Sequence, residues 1–316
     1  GAGAAAPARA DATGLQPQAS AFAGAGAAAR VDGLDEAWAQ PYAPFAVEGG
    51  HVEVRIRDLQ GCFNLNSLTG RAPPAPEPQE GGAAGVDAPG GLAAGGAEDV
   101  SARRAAEASA ARERTPLATL ERLLAHLGLD ENLADAFRDW IDENGEVEGF
   151  GAEDGTYLLA DEPFRAANRP FRHLSEVAVI EDVDLETMAE LAPHVCVLPV
   201  PELRVNVNTA SAAVLGALAK DFGPDRAEDI ARPETPWRSV ADFTAEDPNG
   251  HLAGVAGHLD VASQFFEITV EAGYGRASLT LTTRVFRDGR SGEIAVIDRD
   301  LGRDVPAAWE TGGVWI

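Results

Sequence analysis

Six carboxylates fall within the thirteen residues from Asp142 to Asp154: Asp142, Glu143, Glu146, Glu148, Glu153 and Asp154. Glycines stand between them and no base does. Like charges this dense repel one another. Three chemistries fit the pattern. A solvated acidic turn needs no partner. Two acids about 5–10 Å apart across a cleft can hydrolyse a glycosidic bond. A hard cation such as calcium takes roughly six to eight oxygens from carboxylates, amides and backbone carbonyls. Counted from Asp142 as position 1, Asn144, Glu146, Glu148 and Glu153 fall at positions 3, 5, 7 and 12. That spacing mimics an EF-hand, but Val147 stands where such a loop needs glycine, and no flanking helix pattern follows on the far side. The loop is therefore not an EF-hand. No aromatic sugar platform accompanies the acids, which counts against a hydrolase. Trp140 and Ile141 on one side, and Tyr157, Leu158 and Leu159 on the other, are core-type residues. They clamp both ends and draw the carboxylates together, which favours a bound cation.

Other chemistries find little support. The chain carries a formal charge of −26, which repels phosphates and anionic lipids. The histidines show no HExxH or similar metal spacing, and neither a GxSxG elbow nor a P-loop occurs. Cys62 and Cys196 are the only cysteines; they form no CxxC, and one disulfide is open to them in an oxidising compartment. "VNVNTASAAVLGALAKDFGPDRAEDI" has helix–hairpin–helix character, with Asn206, Asn208 and Thr209 as capping residues and Gly223-Pro224 as the turn. Such units can bind DNA, but Lys220 faces Asp221 and Asp225 in an acidic chain, so the motif reads as structural. Arg165, Asn168 and Arg169 of "FRAANRPF" read as partners of nearby acids.

The elements that would position the acidic loop follow from periodicity. "HVEVRIRDLQG" alternates Val52, Val54 and Ile56 with charged residues, a half-buried strand. Residues 71–114 form an Ala/Gly/Pro-rich stretch expected to be a flexible insertion, and residues 1–30 a linker or disordered start. Thr115-Pro116 caps a helix bearing Leu117, Leu120, Leu124 and Leu127. Asp130 can cap the next, whose stripe of Leu133, Ala136, Phe137, Trp140 and Ile141 runs into the acidic loop. Further helices fit 174–180, 184–192, 209–220 and 224–231. Period two returns in "FFEITVEAG", "ASLTLTTRVF" and "GEIAVID". Strands at both ends and helices between them make one α+β domain with an all-α domain inserted. The expected division is 31–70 plus 261–316 for the sheet domain and 115–260 for the helical one.

In order, "VEVRIRDLQGCFNLNSL", "DWIDENGEVEGFGAEDGTYLL", "PFRAANRPFRHLSEV" and "LPVPELRVNVNTASAAVLGAL" resemble the K-type minor pseudopilins of the bacterial type II secretion system. The resemblance covers residues 31–70 and 115–300. It implies a pilin-like antiparallel sheet domain with a large all-α domain inserted between its strands. It implies no enzymatic activity. It also implies a place at the tip of the pseudopilus beside the I-type and J-type minor pseudopilins. Members of the family begin with a prepilin peptidase site and a long hydrophobic helix. Neither stands in this sequence, so a soluble periplasmic part is expected, anchored in the inner membrane in the full-length protein. The family carries calcium near a "WxDxD…GAED" motif. Here Asp142 matches the first acid, Asn144 replaces the second, and Glu153 and Asp154 match "GAED". Glu148, Thr156 and carbonyls around Gly149 complete the expected ligand set.

Overall fold

The computed structural model describes residues 30–69, 108–109 and 111–301. The expected linker start and most of the expected flexible insertion lie outside the described residues.

A five-stranded antiparallel sheet runs in the order β1-β2-β7-β8-β9. Strands β1 (Phe45–Val47) and β2 (Gly50–Asp58) form a hairpin, and β7 (Phe265–Tyr274), β8 (Ala277–Arg287) and β9 (Ile294–Leu301) form a meander. The two groups meet where β2 pairs with β7, from Gly50↔Tyr274 to Asp58↔Phe266. The apolar alternation of Val52, Val54 and Ile56 sits on this central pair. Arg57, on the polar phase of that strand, does not face open water: it donates to the Pro193 carbonyl at 3.0 Å.

Between β2 and β7 the chain builds a helical body. Helix α1 (Pro116–His126) starts at Thr115, whose hydroxyl accepts from the Ala118 N–H at 3.2 Å, and buries Leu120, Leu123 and Leu124. Helix α2 (Leu133–Ile141) begins later than expected. Asp130 does not cap it. Its carboxylate accepts from the Asn132 N–H at 2.9 Å in a turn ahead of the helix, and Asn132 occupies the cap position. A short α3 (Asp154–Tyr157) and α4 (Leu185–Leu191) follow. The segment expected as a helix over 174–180 is a 3-10 helix, Leu174–Val179. Then come α5 (Ala212–Leu218), α6 (Pro224–Glu228) and α7 (Val240–Ala245). Two small parallel ladders, β3 (Phe63–Asn64) with β4 (Val195–Cys196) and β5 (Val205–Asn206) with β6 (Leu259–Asp260), close the body.

One continuous core fills the helical body, from Phe63 and Leu65 through Leu120, Phe137, Leu191, Val205 and Leu215 to Phe243. A second, smaller cluster of Leu59, Cys62, Cys196, Leu198, Val200 and Phe265 lies where the body meets the sheet.

Asparagines and acids brace the same junction. Asp58, buried at the end of β2, accepts from Ser263 Oγ and Thr209 Oγ1, each at 2.6 Å, from Asn206 Nδ2 at 3.0 Å and from the Gln60 N–H at 2.7 Å. Asn206 and Asn208 are therefore not helix caps. Asn208 accepts from the Trp237 N–H at 2.7 Å and donates to the Trp237 carbonyl at 3.1 Å. The cap of α5 is Ser211, whose hydroxyl accepts from the Val214 N–H at 3.4 Å and meets His194 Nδ1 at 2.9 Å. Ser211→Ala is expected to lower the unfolding free energy by about 1 kcal/mol, the usual worth of such a cap. Urea denaturation would measure it, and an unchanged midpoint would remove Ser211 from this role.

Candidate metal centre

Helix α2 carries Asp135 and Asp139 one turn apart, and the acidic loop folds back over both. Asp135 Oδ2 accepts from the Phe150 N–H and Asp139 Oδ2 from the Glu148 N–H, each at 3.0 Å. The loop backbone lies so close that a Cβ on Gly149 would stand 2.1 Å from Asp135 Oδ2, and one on Gly151 1.9 Å from Asp139 Oδ2. Glycine is required at both positions. Gly149 also holds a φ of 60°, in the left-handed region that suits it.

Aromatic packing fixes the far end of the loop. Trp140 meets Tyr157 edge-on at 5.2 Å between centroids, and Tyr157 stacks on Phe164 at 5.1 Å. Trp140 and Ile141 are buried on one side and Tyr157 on the other, as expected. Leu158 and Leu159 are exposed, contrary to expectation. The chain leaves α3 at Tyr157, so the next two side chains point out of the core.

Glu153 is the centre of the arrangement. It precedes α3, is 2 % exposed, and neither carboxylate oxygen has a hydrogen-bond partner. Burial, and then the charges of Asp142 and Asp139, push its pKa up to about 7. Asp139 is fully buried, and its Oδ1, without a hydrogen bond, meets the Arg138 guanidinium at 3.6 Å. Burial raises Asp139, opposed by the Glu148 N–H and the Arg138 guanidinium. Burial likewise raises Asp142. Three acids thus converge on one region and destabilise one another's charged forms.

The remaining expected ligands are placed differently. Asp142 accepts from the Asn144 N–H at 3.0 Å and from Asn144 Nδ2 at 2.9 Å. Asn144 Oδ1 accepts from the Glu146 N–H at 2.7 Å, and Asn168 Nδ2 donates to the Asn144 carbonyl at 3.0 Å. Glu148 turns to Arg138 at 3.3 Å. Asp154 pairs with Arg165 and accepts from the Ala166 N–H at 3.1 Å. Thr156 is tied in through its N–H, which donates to the Glu153 carbonyl at 2.8 Å. Among the described residues, no three His, Cys, Asp or Glu side chains are grouped so as to hold a metal. Residue reasoning missed Asp139 and Asp135. Asp139 did carry a signal: a carboxylate in the last turn of a helix opposes the helix dipole and is costly without a compensating role.

An antiparallel sheet whose strands flank an inserted helical body, with an acidic loop in that body, defines an α+β protein with a large helical insertion. Among the described residues no helix is long and apolar enough to cross a membrane. The family description "Type II secretion system (T2SS), protein K" matches residues 61–200 and 205–262. Type II secretion system protein K of Pseudomonas aeruginosa is 32% identical over 293 residues, covering 90% of this chain and 75% of the relative. That of Aeromonas hydrophila is 31% identical over 282 residues, covering 85% and 76%. The crystal structure of the GspK-GspI-GspJ complex from the enterotoxigenic Escherichia coli type 2 secretion system aligns with a TM-score of 0.64 at 25% identity, covering 86% of this chain and 87% of that one. The chain belongs to the type II secretion system protein K family and is a K-type minor pseudopilin.

Proposed function

We propose that this chain sits at the tip of the secretion pseudopilus with I-type and J-type minor pseudopilins and helps to start fibre assembly for export of folded proteins. The observation that carries the reading is the near full-length likeness to the GspK of a solved GspK-GspI-GspJ complex. The chain works by protein–protein contact rather than by catalysis. Its helix–hairpin–helix unit offers Lys220, which is tied to Glu113 at 2.8 Å rather than held out for phosphate. The body belongs in the periplasm, with the full-length protein anchored in the inner membrane. Mixing this chain with the soluble parts of its cognate I-type and J-type partners should give a complex on size exclusion. Separate elution of all three at micromolar concentration would sink the assignment.

We further propose that the helical body holds calcium. Glu153, Asp142 and Asp139 supply buried or half-buried carboxylates, and Asn144, Glu148, Asp154 and Thr156 complete the set of oxygen donors. The two orphaned Glu153 oxygens fit a hard cation, which accepts such donors and needs no nitrogen or sulfur. The ion would add positive charge at Glu153, which Arg138 does not reach, since that guanidinium is paired with Asp135, Asp139 and Glu148. Closing on it requires side chains now engaged elsewhere to turn inward: Glu148 from Arg138, and Asp154 from Arg165.

A further inference from the structure

We propose that Cys62 and Cys196 form an intramolecular disulfide that ties the base of the helical body together. Both thiols are buried in the apolar cluster between body and sheet. Both point at one oxygen: Cys62 Sγ lies 3.1 Å, and Cys196 Sγ 3.0 Å, from the Leu59 carbonyl. The backbone holds them there. Cys62 immediately precedes β3, Cys196 ends β4, and the two strands pair in parallel through Phe63↔Val195 and Asn64↔Cys196. No other cysteine occurs anywhere in the sequence, so each has a single intramolecular partner.

The chemistry is thiol–disulfide exchange. One thiol loses its proton and attacks a small oxidised disulfide, such as oxidised glutathione, releasing one thiolate. The second then attacks the mixed disulfide, closes the Cys62–Cys196 bond and releases the other thiolate. Two S–H bonds are lost, one S–S bond forms, and the oxidant takes up both electrons. Burial, and then the neighbouring Cys62, hold the Cys196 thiol well above its ordinary pKa in the folded chain, and the Arg57 guanidinium offsets this only in part. Exchange therefore proceeds before the core closes, when the thiols can still be reached. The closed loop spans residues 62–196, which include α1 to α4 and the acidic loop. The bond pins the strand that enters the body to a strand midway through it, ahead of α5.

This inference takes only the oxidising compartment from the proposed function, and its test uses no partner. The chain is refolded in mixtures of oxidised and reduced glutathione, quenched with acid, unfolded and treated with a maleimide. The expected result is loss of both labels, an intact mass two hydrogens lighter, monomeric migration without reductant, and a lower melting temperature after reduction. The double variant Cys62→Ser with Cys196→Ser should lose that response to reductant. Two labels per chain at every glutathione ratio, persistent glutathione adducts, or disulfide-linked dimers would each overturn the proposal. Failure to bind I-type or J-type partners would leave this readout untouched.

Discussion

Asp58→Ala is expected to destabilise the protein by on the order of 3–5 kcal/mol, the sum of several stranded buried donors. The carboxylate gathers four donors from three parts of the chain: Gln60 beside it, Asn206 and Thr209 from the body, and Ser263 at the entry to β7. Removing it leaves these donors facing a small void that water reaches poorly. Asp58→Asn keeps the volume but turns an amide donor towards other donors, so it should also destabilise, though less. Urea unfolding of both variants, followed by circular dichroism, measures the effect. A loss below about 1 kcal/mol for the alanine variant would show that the junction is held by apolar packing instead.

Calcium is expected to raise the melting temperature, and a chelator to reverse the rise. At one hundred times the dissociation constant, the gain is about 2.7 kcal/mol. The pH dependence of the calcium-free protein gives an independent reading of the same residues. Glu153 has a folded pKa of about 7 against an ordinary value of 4.5. Between those values the folded chain holds a proton that the unfolded chain has released. The contribution of Glu153 is therefore full below the lower value and declines as pH rises through the higher one. Glu153→Gln should flatten this slope, raise the stability of the calcium-free protein near neutral pH, and weaken the response to calcium. A wild-type melting curve unmoved by saturating calcium would sink the site. A slope that survives the substitution would assign the titration elsewhere.

The strands and most helices were legible because their signals are local. Alternation in "HVEVRIRD" predicts β2, and Thr115-Pro116 predicts the start of α1. The asparagines were misread for the opposite reason. In isolation Asn206 and Asn208 look like caps, yet their side-chain amides donate to Asp32, Asp58 and Ser263 for one and to Trp237 for the other. Those partners lie far away in sequence, and no local pattern announces them. The acidic loop was legible as a place but not as a geometry. Its clamping by Trp140 and Tyr157 follows from residue type. The burial of Glu153, and the part taken by Asp139, depend on how the loop drapes over α2. Glycines 149 and 151 permit that drape without advertising it.

The central strand pair sets an order in time. Arg55 meets Glu271 at 2.9 Å across 216 residues of chain. Strand β2 emerges early, yet it has no β7 to pair with until the whole helical body has been made and β7 follows it. Contacts so distant in sequence close slowly, because a long loop must be gathered before any of them rewards the chain. Gathering the helical body shortens that loop and brings its two ends within reach, so the central pairing of the sheet waits on the insertion it carries.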